Sequence, residues 1–283
     1  MRLITWNVNR RIEQLAEQAA ALAGRSPDVV ALQEVTARSW PLWREALTVI
    51  GLPAVVCSLE RADPAREPAG RRRTGVLIAA RSLDPADPLP VPWPETTIAA
   101  TVPDDAVVGA EDVGPTDDRA AAPRVAVHAA HVPNAANGWI KPETLSGVRR
   151  GLEASAGPRV LCGDLNTPRR ELPDGTVLSF ARDSKGRLRP ERGDPWDAAE
   201  LGVVPGLRDL GFADVFRAVH GYARREPSWT FGRIAGHGGG WRLDHVFASA
   251  ELEVTAAAYH HGWRDAGLSD HSALEADLVL AAG

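Results

Sequence analysis

Short apolar runs recur along the whole chain, bounded by Gly, Pro, Asp and Asn, with amphipathic stretches between some of them. Runs of this kind, rich in Val, Ile and Leu, predict strands at Leu3–Trp6, Val29–Leu32, Val76–Ala80, Thr97–Val102, Val125–Ala130, Val160–Cys162, Arg242–Ala248, Leu252–Ala257 and Leu274–Leu280. Ile12, Leu15, Ala16, Ala19 and Leu22 repeat at helical spacing and predict a helix over Ile12–Ala23. A second helix is expected over Ser39–Val49, with Ser39 as its N-cap and Pro41 in its first turn. Pro142–Ser155 and the stretch around Leu207 read as further helices. Strands outnumber helices and do not alternate with them strictly, which predicts two packed mixed sheets with helices outside.

Two stretches break the pattern. The stretch 103–123 is rich in Asp, Ala, Gly and Pro and reads as a mobile loop. The stretch 167–205 lacks long periodicity. Both are expected as insertions in one catalytic domain spanning 1–283, since 283 residues fit around a single large core.

Composition narrows the class. With 44 % apolar and 24 % charged residues, the chain is neither fibrous nor disordered. No run approaches the ~18 apolar residues of a membrane span, and the first residues lack the apolar stretch of a signal peptide. Two cysteines, Cys57 and Cys162, provide neither a disulfide framework nor a metal-ligand spacing, so a reducing cytoplasm is expected. The net charge of −5 argues against a passive nucleic-acid coat, which would be strongly basic, and leaves room for local phosphate contacts. Only Lys141 and Lys185 are lysines, and the doublets Arg149-Arg150, Arg169-Arg170 and Arg224-Arg225 read as solvated surface. The run Arg71-Arg72-Arg73 lies in a Pro/Gly-rich loop and is the better candidate for touching a polyanion.

Polar groups suited to metal and phosphate chemistry sit at the ends of the expected strands. Asn7 closes the first, Glu34 follows the second, His131 follows Val125–Ala130, and Gly163-Asp164-Leu165-Asn166 follows Val160–Cys162. Asp244 and His245 lie in Trp241-Arg242-Leu243-Asp244-His245, and Ser269-Asp270-His271 precedes the last strand. Singly, each has a bland structural reading as a turn, a cap or surface. Ser269-Asp270-His271 is no nucleophilic triad, because adjacent residues cannot stack into a relay. Together, at the ends of one β layer, carboxylates with Asn and His and without Cys form the hard donor set of Mg²⁺ or Mn²⁺.

In this order, Thr5-Trp6-Asn7-Val8-Asn9, Leu32-Gln33-Glu34, His131-Val132-Pro133-Asn134, Gly163-Asp164-Leu165-Asn166, Trp241-Arg242-Leu243-Asp244 and Ser269-Asp270-His271 resemble the endonuclease/exonuclease/phosphatase superfamily. With Gly211–Arg217 and Ser228-Trp229-Thr230-Phe231, the chain is most similar to the exonuclease III-type apurinic/apyrimidinic endonucleases. The resemblance implies a four-layer α/β sandwich of deoxyribonuclease I type and divalent-metal-dependent phosphoester hydrolysis. It assigns the metal to Glu34, assisted by Asn7 and Asp270. Asp164 would activate the attacking water, with Asn166 on the phosphate. His271, polarised by Asp244 at about 2.6–3.2 Å, would bind a non-bridging oxygen, and His131 is a further catalytic candidate. Trp241 and Leu243 occupy positions resembling the apolar pocket for a base-free sugar. Arg242 and Lys141 are expected substrate contacts, with Trp139 and Lys141 flanking the phosphate path, whereas Trp229 reads as core.

The departures concern the substrate. His131 stands where the abasic-endonuclease branch usually has Tyr, Asn9 where some members carry Asp, and His245 where a Tyr or aliphatic residue follows the Asp. Thr167-Pro168-Arg169-Arg170 also departs from the branch. Three readings stay open: a DNA nuclease acting at abasic sites or 3′ ends, a hydrolase of small phosphodiesters, nucleotides or lipid headgroups, and a non-catalytic binding module. No membrane partner is expected.

Overall fold

The structure is a computed structural model that describes residues 1–62, 73–103, 124–234 and 237–281. Its first sheet runs in the order β15 (Leu252–His260), β16 (Ala273–Leu280), β1 (Arg2–Asn7), β2 (Val29–Thr36), β4 (Thr74–Ala80), β3 (Ala54–Cys57). The second runs β11 (Ala213–Asp214), β14 (Asp244–Ala248), β8 (Arg159–Asp164), β7 (Arg124–His131), β6 (Thr97–Pro103), β5 (Asp84–Ala86). Both are mixed. In the first sheet β1 and β2 are parallel, joined by α1 (Leu15–Ala23); in the second, β7 and β8 are parallel, joined by α3 (Ile140–Glu153).

Strand residues alternate between two cores, and so the central strands read as continuous apolar runs. Leu3, Val29, Ala31, Ile78, Val127, Val160 and Val246 meet between the sheets. Their neighbours Ile4, Val30, Leu32 and Leu77 face outward under α1 and α2 (Trp40–Val49), packed with Leu22, Trp43 and Leu47. On the other side Leu161 and Phe247 pack under Leu145, Val148 and Leu152 of α3. The result is a four-layer α/β sandwich, and no helix among the described residues is long and apolar enough to cross a membrane.

Several expectations need correction. The first helix begins at Leu15, not Ile12. Ser39 stands at the N-cap of α2 as expected, but its hydroxyl bonds Thr36 rather than the N–H groups of the first turn. The stretch 167–205 is structured, with a hairpin of β9 (Arg170–Glu171) and β10 (Val177–Leu178) followed by α4 (Gly193–Val203). The turn at Leu207 is a 3₁₀ helix, Gly206–Leu210. The expected strand Arg242–Ala248 starts two residues later, as β14 (Asp244–Ala248), and the chain before it forms a separate strand, β13 (His237–Trp241), which pairs with β12 (Trp229–Ile234). The expected loop at 103–123 lies outside the described residues beyond Pro103, as do Arg71 and Arg72.

Candidate active site

Sheet polarity gathers the polar strand ends. Asn7 and His131 are the last residues of β1 and β7, Asp164 is the last of β8, and Glu34 lies near the end of β2. Parallel pairing places these carboxyl ends on one edge, where α/β sheets hold their ligands. β14 runs antiparallel to β8 and starts at Asp244, whose register partner is Asp164. On the other side of Asp164 lies His131, in parallel register. Gly163 permits this packing: its φ is +131°, and a Cβ would stand 2.0 Å from the Ala130 carbonyl oxygen.

Asp164 is buried, and both its oxygens are held. Oδ2 accepts from Asn7 Nδ2 at 3.0 Å and Oδ1 from the Asn166 backbone N–H at 2.9 Å. His271 Nδ1 lies 2.8 Å from Asp244 Oδ2, and His271 Nε2 lies 3.8 Å from Asp164 Oδ2. Burial opposes a charge on His271, but the carboxylates of Asp244 and Asp164 outweigh it and raise its pKa from 6.5 to about 10. His271 is therefore an imidazolium at neutral pH. Burial raises the Asp164 pKa above the usual carboxylate value, opposed by His271 and by the Asn7 hydrogen bond. Buried serines clamp the frame: Ser228 Oγ accepts from the Leu243 and Asp244 backbones, and Ser269 Oγ donates to the Asn7 carbonyl and accepts from His271 N.

Glu34 reaches the site through a backbone irregularity. The β2–β4 register shifts between Leu32 and Val35, and Glu34 has φ +60°. A bulge of this kind re-aims a side chain, and positive φ in a non-glycine residue is a strained conformation associated with function. Glu34 Oε1 stands 3.8 Å from His131 Nε2, which is also 3.8 Å from Asp164 Oδ2. Two buried carboxylate oxygens here, Glu34 Oε2 and Asp244 Oδ1, accept no hydrogen bond, although Arg10 Nε lies 2.8 Å from the former in an ion pair. Asp164, Asp244 and His271 also bring ligand atoms within 4.8 Å of one another. Oxygen-dominated donors, with Asp244 Oδ1 buried and without a partner, fit a hard divalent cation.

Glu34, His131, Asp164, Asn166, Asp270 and His271 line a cavity of about 1150 Å³. A family model for the endonuclease/exonuclease/phosphatase family matches residues 4–271, which takes in every strand end just described. The chain belongs to this family. Its fold is similar to an AP endonuclease from Archaeoglobus fulgidus (TM-score 0.65, 21 % identity, covering 100 % of both chains). It is also similar to the 3′ phosphatase NExo from Neisseria bound to product DNA hairpin (0.62, 22 %, 99 % of both chains). A third similar structure is D. rerio TDP2 complexed with single-strand DNA product (0.61, 14 %, 99 % of this chain and 98 % of that one). A comparison with curated proteins gives no match. As a member of the family the chain is a phosphoric-ester hydrolase, and the reading as a non-catalytic binding module falls away. The family is generally divalent-metal dependent.

Within this endonuclease/exonuclease/phosphatase site, two expected substrate contacts are structural instead. Lys141 is fully buried: its Nζ donates to the Asn166 carbonyl and to Glu200 Oε1, both at 2.8 Å, and sits 4.4 Å from the Phe180 ring centroid. Arg242 is also buried, locked between Glu171 and Asp214 by four hydrogen bonds. In both cases a carboxylate distant in sequence removed the charge from the rim. Arg149, expected as solvated surface, donates instead to the Gly202 and Gly206 carbonyls. Trp139 is half-exposed and packs edge-on against Trp196.

Conversely, Trp229 is not core. It lines the cavity, stacks on Trp241 with ring centroids 5.2 Å apart, and donates from Nε1 to Asp270 Oδ2 at 3.1 Å. Phe180, from the supposed insertion, meets Trp241 edge-on at 5.1 Å, and buried Leu243 lies beside them. Arg10 and Arg73 also line the cavity; Arg73 belongs to the Arg71-Arg72-Arg73 run expected to touch a polyanion, whereas nothing local marked Arg10. The signal for Trp229 was present in its hairpin: Trp229 pairs with Trp241 across β12–β13, and Gly240 is needed there because a Cβ would stand 2.4 Å from the Trp229 carbonyl oxygen.

Proposed function

We propose that the protein is a divalent-metal-dependent DNA nuclease acting at abasic sites or 3′ ends. The observation that carries this reading is the aromatic wall of Trp229, Trp241 and Phe180 with Leu243, in the same cavity as Asp164, His131 and His271. A small apolar recess beside a phosphate site accepts an extruded sugar that lacks its base and excludes an intact nucleotide by shape. The AP endonuclease, the 3′ phosphatase with its DNA hairpin and the protein holding single-strand DNA, all similar in fold, support the same substrate class.

In this mechanism the phosphodiester lies between His271 and His131. Asp164, whose oxygens are oriented by Asn7 and Asn166, takes the proton of the attacking water. His271 donates from Nε2 to a non-bridging oxygen and stabilises the charge that develops there, while Asp244 holds Nδ1. Asn166 Nδ2 is anchored on the Val132 carbonyl at 2.8 Å, which leaves its second N–H for the phosphate. Glu34, with Asn7 and Asp270, would hold a divalent ion, which would supply Lewis-acid stabilisation of the phosphoryl oxygen. Mg²⁺ and Mn²⁺ both suit these donors.

Glu34→Gln tests the metal assignment. Outer-shell partners alone are worth about 10–100-fold in metal affinity, so removing a ligand carboxylate should cost no less. Titration calorimetry with Mn²⁺ should show that weakening, and turnover should recover partly at high metal. Full turnover by the chelator-treated wild type would sink the assignment.

A cleavage panel with Mg²⁺ or Mn²⁺ tests the substrate: a duplex with one abasic analogue, intact duplex, 3′-phosphate ends and a small phosphodiester. Trp241→Ala should depress abasic cleavage far more than hydrolysis of the small phosphodiester. Equal loss on both would favour the small-substrate reading, which the net charge of −5 and His131 make the runner-up.

A further inference from the structure

A second cavity, of about 450 Å³, lies behind the aromatic wall, and Trp241 lines both. Arg169, Arg170, Arg224 and Arg225 border it, together with Phe231. The carboxylates that line it are already engaged. Glu171 is bound by Arg217 and Arg242, Asp183 by Arg187, and Glu226 by Arg224 and His261. Burial would raise the Glu171 pKa, but the two arginines pull it down to about 2, so its charge is permanent and fully matched. Among the described residues, Arg169, Arg170 and Arg225 have no carboxylate within 4.0 Å. The cavity thus carries uncompensated positive charge in a chain whose net charge is −5.

Its position follows from the sequence departure after the Gly163–Asn166 motif. Thr167 Oγ1 is held by Glu200 at 2.6 Å and the Thr167 carbonyl by His245, so the chain leaves Asn166 in a fixed direction and delivers Arg169 and Arg170 behind Trp241. Guanidinium groups without partners at a concave surface suit phosphate oxygens, which they bind in bidentate geometry.

We propose that this cavity is a second phosphate subsite, which binds a phosphate of the nucleic-acid strand next to the phosphodiester being cleaved. The proposal rests on the nuclease reading above. A strand that seats its reacting phosphate between His131 and His271 passes over Trp241 and brings a neighbouring phosphate to Arg169, Arg170 and Arg225.

The test is the triple variant Arg169→Ser/Arg170→Ser/Arg225→Ser. It is compared with wild type for binding of a labelled single-stranded oligonucleotide by fluorescence anisotropy, for hydrolysis of bis(4-nitrophenyl) phosphate, and for unfolding temperature. Affinity for the strand should fall on the order of tenfold or more. The slope of log affinity against log salt should shrink by about 0.7 for each phosphate that the variant leaves without its arginine. The unfolding temperature and the hydrolysis of bis(4-nitrophenyl) phosphate should not change. Unchanged strand affinity and slope overturn the proposal, and so does an equal loss on bis(4-nitrophenyl) phosphate. A wild type that binds the strand through these arginines but cleaves no DNA supports the subsite and removes the nuclease reading. A wild type that does not bind the strand overturns both.

Discussion

Asp164→Asn should lower kcat by about 10²–10⁴-fold, the usual contribution of a positioned general base. The substitution keeps the shape of the side chain while removing its capacity to take a proton. Asp164 accepts a hydrogen bond on each oxygen, from Asn7 Nδ2 and from the Asn166 N–H. An amide at this position meets one of those donors with a donor of its own, which adds a modest structural cost. Substrate affinity should change far less than kcat, because His271, His131 and the aromatic wall are untouched. Single-turnover kinetics beside equilibrium binding separate the two effects. If kcat stays within about tenfold of wild type, Asp164 is not the base, and a different group must take the proton.

Lys141→Met should cost about 3–5 kcal/mol of stability, as expected when one member of a buried ion pair is removed. Glu200 is fully buried and would keep its hydrogen bonds from Thr167 Oγ1, the Phe180 N–H and Trp196 Nε1 but lose its cationic partner. For a chain of this size that corresponds to a fall on the order of 10 °C in Tm. Methionine matches the length of the lysine stem, so lost packing contributes little. Activity should fall as well, since Lys141 Nζ also holds the Asn166 carbonyl beside the candidate catalytic carboxylate. A Tm close to that of wild type would show that Glu200 is satisfied without the lysine.

The layer architecture and the order of the polar strand ends were legible in the sequence. Central strands covered on both faces must be apolar at successive positions, and Leu3-Ile4, Val29-Val30 and Val160-Leu161 read that way before any sheet is drawn. Residues that end parallel strands share an edge, so Asn7, Glu34, His131 and Asp164 could be grouped from their positions alone. Their donor chemistry is intrinsic to the side chains, and the family follows from their order.

What the sequence by itself could not decide was which charged and aromatic groups face the cavity. Lys141 and Arg242 have the right chemistry for phosphate and the right position along the chain, yet each is neutralised by a carboxylate 59 or 71 residues away. Glu200 and Phe180 come from a stretch with no periodicity, so nothing local marked them. Trp229 reads as core from the sequence, and only the hairpin places it against Trp241 and Asp270. The bulge that aims Glu34 depends on how β2 meets β4, and the Arg169-Arg170 doublet became a concave surface only through the packing of Thr167 against Glu200 and His245. Local propensity and donor chemistry are written residue by residue, whereas ion-pair partners, register shifts and exposure are long-range properties. They exist only once distant parts of the chain have met.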